Sequence, residues 1–89
     1  MLGAQVTDAA SKSGSTQVGA YLEKIIAGGA AEKGGLKQGD VVTEFNGVRV
    51  TDSSDLTAQV RYAAGGSDAT VKIVRDGKTE TVKVTLGTL

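Results

Sequence analysis

Leu2, Ala4 and Val6 alternate with Gly3 and Gln5, a period of two that predicts a strand over residues 2–6 with its apolar side chains on one face. Asp8 to Ser11 ends that pattern. The run Ser11-Lys12-Ser13-Gly14-Ser15-Thr16-Gln17 has nothing to bury and predicts a mobile hairpin loop. A second strand is expected within Val18 to Ala27, where Tyr21, Leu22, Ile25 and Ile26 are too few and too β-branched for a helix. Gly28-Gly29 and Gly34-Gly35 bracket Ala30-Ala31-Glu32-Lys33, which predicts one helical turn stopped by a left-handed glycine. Leu36 returns to the core and Gly39-Asp40 turns the chain into a strand, Val41 to Phe45. Asn46-Gly47 then signals a hairpin to Val48-Arg49-Val50.

Thr51-Asp52-Ser53-Ser54 offers N-cap residues ahead of the one substantial helix, Asp55 to Ala64, in which Leu56, Val60 and Ala63 recur at helical spacing. Gly65-Gly66 stops it. Ala69 to Arg75 alternates with Val71 and Ile73 inward, Asp76-Gly77 makes a second hairpin, and Thr79 to Leu86 turns Val82, Val84 and Leu86 inward. About six strands, one helix and one helical turn fit a small curled sheet capped by helices, and neither a bundle nor a doubly wound sheet.

The 89 residues suffice for one domain and not two. Hydrophobic residues make up 39%, but only Phe45, Tyr21 and Tyr62 are aromatic, so the core is aliphatic. There is no His and no Cys. That excludes serine and cysteine triads, disulfides and the usual zinc or iron sites. Ten basic and ten acidic residues are interspersed and sum to zero, which leaves no basic footprint for nucleic acid. No apolar run approaches the roughly 20 residues that span a bilayer, so membrane insertion is not expected, and no signal-peptide pattern opens the chain.

The remaining candidates for chemistry are weak. The acids at Asp40 and from Asp52 to Asp55 lack calcium-loop spacing and read as turn and cap residues. Glu23, Glu32, Glu44 and Glu80 are scattered and form no acid/base pair. Gly28-Gly29 before a helical turn lacks the rest of any phosphate-loop pattern. No cofactor and no metal is expected. The opening strand remains, where Gly3 lets successive amides converge on an anion, a chemistry of binding and not of catalysis.

The series Leu2-Gly3-Ala4-Gln5-Val6, Gly28 to Gly39-Asp40-Val41-Val42, Asn46-Gly47, Leu56-Thr57-Ala58-Gln59-Val60 and Val74-Arg75-Asp76-Gly77 resembles a PDZ domain. More narrowly, it resembles those of the bacterial HtrA/DegP serine proteases, in which the strand beginning with the carboxylate-binding loop comes first. The resemblance spans nearly the whole chain and is most specific from Gly28 to Gly47. It implies an α+β fold of five to six antiparallel strands, a partial barrel capped by one short and one longer helix, in the permuted bacterial order. It also implies one peptide-binding domain, residues 1–89, excised from a longer protein.

The function it implies is capture of C-terminal or extended hydrophobic segments of substrate proteins by strand addition, regulating a protease domain of the same parent in the cell envelope, the periplasm or outside the cell. Catalysis would lie elsewhere in that parent. The amides of Leu2, Gly3 and Ala4 would hold the terminal carboxylate, and Gln5 and Val6 would continue the pairing. Leu2, Ala4, Val6 and Val60 would line a pocket for the last side chain. Thr57, with Ser53 or Arg61, would meet residues further back. On the helix, Ser53, Thr57, Val60 and Ala64 make one stripe and Leu56 and Ala63 lean coreward, with Val60 on the boundary.

This chain departs from the family pattern at Ala30, where Pro is frequent, and at Gly34, where Ala is usual, which predicts a looser helical turn. At Ala4 a larger apolar residue is common, which leaves the pocket roomier or filled from the helix. The basic residue that often precedes the loop lies outside the chain. A PDZ module of another envelope or secretion protein, and a packing domain that binds no free peptide, remain as alternatives.

Overall fold

The computed structural model describes residues 2–9, 18–63 and 65–87. The elements are β1 (Ala4–Asp8), β2 (Ala20–Ile25), α1 (Ala30–Gly34), β3 (Val41–Phe45), β4 (Val48–Arg49), α2 (Ser53–Tyr62), β5 (Asp68–Arg75) and β6 (Lys78–Thr85). All pairings are antiparallel, in the order β1-β2-β3-β5-β6 with β4 hung on β3, and the sheet does not close. The fold is therefore the α+β arrangement expected, a six-stranded antiparallel sheet that is not closed, with one short and one longer helix. The loop expected over residues 11–17 lies outside the described residues.

The two hairpins form where predicted. Asn46 and Asp76 adopt φ of 51° and 52°, each followed by a glycine of positive φ, the two-residue turn whose twist matches paired strands. Leu22, Val42, Val71, Ile73, Val84 and Leu56 form the heart of a wholly aliphatic core apart from Phe45. α1 packs on β6, and α2 lies across β1, β2 and β3.

The first strand starts later than the alternation implied. Gly3, at φ +79°, breaks the extended run, so that Leu2-Gly3 is a loop and β1 runs Ala4–Asp8, with a bulge between Gln5 and Val6. α2 starts two residues earlier than predicted because Asp52 takes the N-cap, accepting from the Asp55 amide at 2.8 Å, and it ends at Tyr62. Ala64, assigned to the helical stripe, lies outside the described residues.

α1 is not loose. Gly34 rests so closely on β6 that a Cβ there would overlap Val84 Cγ1 and lie 3.2 Å from the Lys83 carbonyl oxygen. The turn residue Asp40 is buried and takes a two-pronged ion pair from Arg75, Nε to Oδ1 at 2.8 Å and Nη2 to Oδ2 at 2.6 Å, while accepting from the Lys37 amide at 2.8 Å. Arg75 Nη2 also donates to the Gly35 carbonyl at 3.0 Å, which pins the α1–β3 connection onto β5. The pairing with Asp40 holds the Arg75 guanidinium above its ordinary pKa.

Candidate functional site

Among the described residues β1 is an edge strand with β2 as its one neighbour, so its outer side presents backbone groups that no other described strand pairs. α2 runs alongside, and the space between them is a groove of about 390 Å³. Leu2, Gly3, Ala4 and Val6 form one wall and Thr57, Val60 and Arg61 the other, with Leu56 at the base and Ile26 at the end nearest the loop. A continuation beyond Val6 is bordered by Ser53, Ser54, Thr57, Ala58 and Arg61.

The loop at the head of the groove is held from behind. The Leu2 carbonyl accepts from the Ala31 amide at 2.8 Å, and the Gly3 carbonyl accepts from the Ile26 amide at 3.0 Å. With their carbonyls engaged on the protein side, the N–H groups of Leu2 and Gly3 have no backbone acceptor among the described residues. Gly3 is constrained by packing. Its Cα meets the chain at the start of α1, where a Cβ would lie 2.9 Å from Gly29 Cα and 3.1 Å from the Ala30 nitrogen. Gly29 is constrained in return, its own Cβ position lying 3.0 Å from Gly3 Cα.

The structure brings most of the predicted residues together and sorts them. Leu2, Gly3, Ala4, Val6, Thr57, Val60 and Arg61 border the groove. Val60 is half-buried, packs on the core and still lines the groove, which explains its place on the boundary of the stripe. Gln5 is exposed and its side chain borders neither section.

Ser53 lies at the far end, where its hydroxyl and amide both donate to Asp8 Oδ1, at 2.6 and 2.8 Å. Those bonds, the hydroxyl's first, hold the Asp8 carboxyl below the usual carboxylate range. Thr57 Oγ1 likewise donates inward, to the Ser53 carbonyl at 2.9 Å. Ile26 was not anticipated at the site. The sequence places it in the apolar run of β2, and its role follows from the turn at Ala27–Gly29 that carries it past the strand end, 41% exposed.

No group of three or more potential metal ligands occurs among the described residues, and no helix there is long and apolar enough to cross a membrane.

The PDZ domain family model matches residues 1–86. A probable periplasmic serine endoprotease, DegP-like, of Rhizobium meliloti is 46% identical over 71 residues, 80% of this chain and 14% of its own length. The periplasmic serine endoprotease DegP of Escherichia coli is 37% identical over 70 residues, 79% of this chain and 15% of its own. The chain thus spans about a seventh of the length of these relatives. Their names are those of periplasmic proteases, and the parent is placed in the cell envelope with them.

Among solved structures, the HtrA-type protease AlgW with a decapeptide superposes with a TM-score of 0.86 at 23% identity, over 98% of this chain and 28% of that one. The HtrA3 PDZ domain bound to a phage-derived ligand, FGRWV, superposes with a TM-score of 0.80 at 17% identity, over 96% and 82%. At those identities the likeness speaks for the fold alone. With the fold, the edge-strand groove and the family match over residues 1–86 in agreement, this chain belongs to the PDZ domain family, of the kind carried by HtrA/DegP-type serine proteases.

Proposed function

We propose that this domain is the peptide-binding regulatory module of an HtrA-like serine protease and captures C-terminal or extended apolar segments of substrate proteins by strand addition to β1. The observation that carries the reading is the head of the groove, where the carbonyls of Leu2 and Gly3 are bonded inward and their N–H groups have no acceptor among the described residues. A terminal carboxylate accepts from such donors with charge assistance, and the ligand then runs antiparallel along β1. Its last side chain enters the apolar section between Val60 and the wall of Leu2, Ala4 and Val6. Bonds to the main chain supply affinity without sequence preference, and the pocket supplies the preference.

The peptides in the AlgW and HtrA3 structures support the choice of ligand. One short segment with one anchored side chain gives roughly micromolar affinity, about −8 kcal/mol, suited to a module that must release what it holds. Within the parent, the module delivers or signals unfolded substrate to a protease domain, and it performs no chemistry itself.

The test is titration of isotope-labelled protein with a peptide ending in Ala-Val, in free-acid and C-terminal amide forms. The free acid is expected to shift the amide resonances of Leu2 to Val6 and of Val60, and the amide form to bind at least tenfold more weakly. Absence of shifts with any free-acid peptide would refute the reading and leave a packing domain in its place.

A further inference from the structure

We infer that Arg61 makes this groove selective for ligands with an acidic side chain at the third residue from the C-terminus. This rests on the peptide-binding reading above and specifies the substrate class of the same site. Side chains of an added strand alternate, so the last and the third-from-last residues face the groove about 7 Å apart. The groove has two sections to match. The apolar one sits beside the loop, and the second lies beyond Val6; Val6, Thr57 and Arg61 border both.

Two of the three hydroxyls that border the second section, those of Ser53 and Thr57, are already committed as donors. Ser53 Oγ donates to Asp8 and Thr57 Oγ1 donates to the Ser53 carbonyl. Arg61 is different. It is the one charged side chain among the described residues bordering either section, and it has no ion-pair or hydrogen-bond partner among them. A guanidinium at that junction, beside apolar walls, favours a carboxylate over a neutral or basic group.

The experiment uses the whole 89-residue chain and four acetylated hexapeptides. They are Gly-Ala-Ala-Glu-Ala-Val and Gly-Ala-Ala-Gln-Ala-Val, each as free acid and as amide, titrated against wild type, Arg61→Gln and Arg61→Lys. With wild type at low salt, the Glu peptide is expected to bind about two- to fivefold more tightly than the Gln peptide, the range of an exposed ion pair. Raising the salt should erase the difference. Arg61→Gln is expected to abolish the Glu preference while keeping the advantage of free acid over amide, and Arg61→Lys to retain part of it.

Equal affinity of the Glu and Gln peptides for wild type, with binding intact, overturns the inference and leaves the peptide-binding function standing. So does an Arg61→Gln variant that loses the free-acid advantage instead, since Arg61 would then serve the terminal carboxylate. Failure of all four peptides to bind overturns both.

Discussion

Adding one methyl group at Gly3, and separately at Gly29, tests how the loop at the head of the groove is built. At Gly3 two penalties combine. The backbone sits at φ +79°, which costs a non-glycine residue about 1–2 kcal/mol. The new Cβ also lies 2.9 Å from Gly29 Cα and 3.1 Å from the Ala30 nitrogen, main-chain atoms that cannot swing aside, for about 1–3 kcal/mol of overpacking.

At Gly29 only the second penalty applies. Its φ of −80° and ψ of 172° suit any residue, while the Cβ would lie 3.0 Å from Gly3 Cα and 3.2 Å from the Ile26 carbonyl oxygen. Both substitutions stiffen the unfolded chain by the same ~0.4–1 kcal/mol, which cancels in the comparison. Gly3→Ala is therefore expected to cost about 1–2 kcal/mol more than Gly29→Ala, close to a 4–16 °C difference in Tm for a domain of this size. Urea unfolding followed by far-ultraviolet circular dichroism measures it, and peptide titration below the midpoint reads whether the loop donors have moved. If Gly3→Ala is no more costly than Gly29→Ala, the left-handed loop geometry is not what Gly3 provides.

Three further outcomes follow from other parts of the structure. Leu56→Ala, which empties a fully buried position, should cost about 2–4 kcal/mol in urea titrations, whereas Val60→Ser, half-buried at the groove, should weaken peptide binding with a smaller stability loss. Equal unfolding by both would place the groove wall wrongly. Gly34→Ala should destabilise despite alanine's better helix propensity, because its methyl meets Val84, and in a Val84→Ala background, where the Cγ1 contact is gone but the Lys83 carbonyl oxygen stays 3.2 Å away, the same change should cost less; additive effects would exclude that contact. The lowered pKa of Asp8 gives stability that is present above the ordinary carboxylate range and lost as pH falls below about 4, through the folded-state value. Thermal melts from pH 6 to pH 2 should show a smaller acid loss for Asp8→Asn than for wild type.

Local signals carried the element order well. Asn46-Gly47 and Asp76-Gly77 dictate their turns with two residues each, and the glycine after Gly34 stops α1 wherever the rest of the chain lies. What resisted reading was long-range. Asp40 looks like an ordinary turn acid, and nothing nearby shows that Arg75, 35 residues on, will bury it. Ser53 and Thr57 fall on the groove side by helical spacing, but spacing does not reveal that their hydroxyls donate to Asp8 and to the helix backbone. Gly34 reads as a weak spot in a helix, and only its contact with Val84 turns it into a packing requirement. Ile26 escaped notice because an apolar residue at the end of an apolar strand carries no mark of the turn that redirects it.

The short helix α1 touches both extremities of the described chain. The Leu2 carbonyl is bonded to Ala31 on one side, Gly34 lies on Val84 on the other, and Gly3, Leu86 and Gly87 border a common cleft. The fold is thus nearly a ring through which the polypeptide enters and leaves at adjacent points, with α1 as the clasp. Which strand is translated first matters little to such a ring. A gene cut at the Asp76-Gly77 turn and rejoined across the old ends by a few flexible residues would encode the same groove.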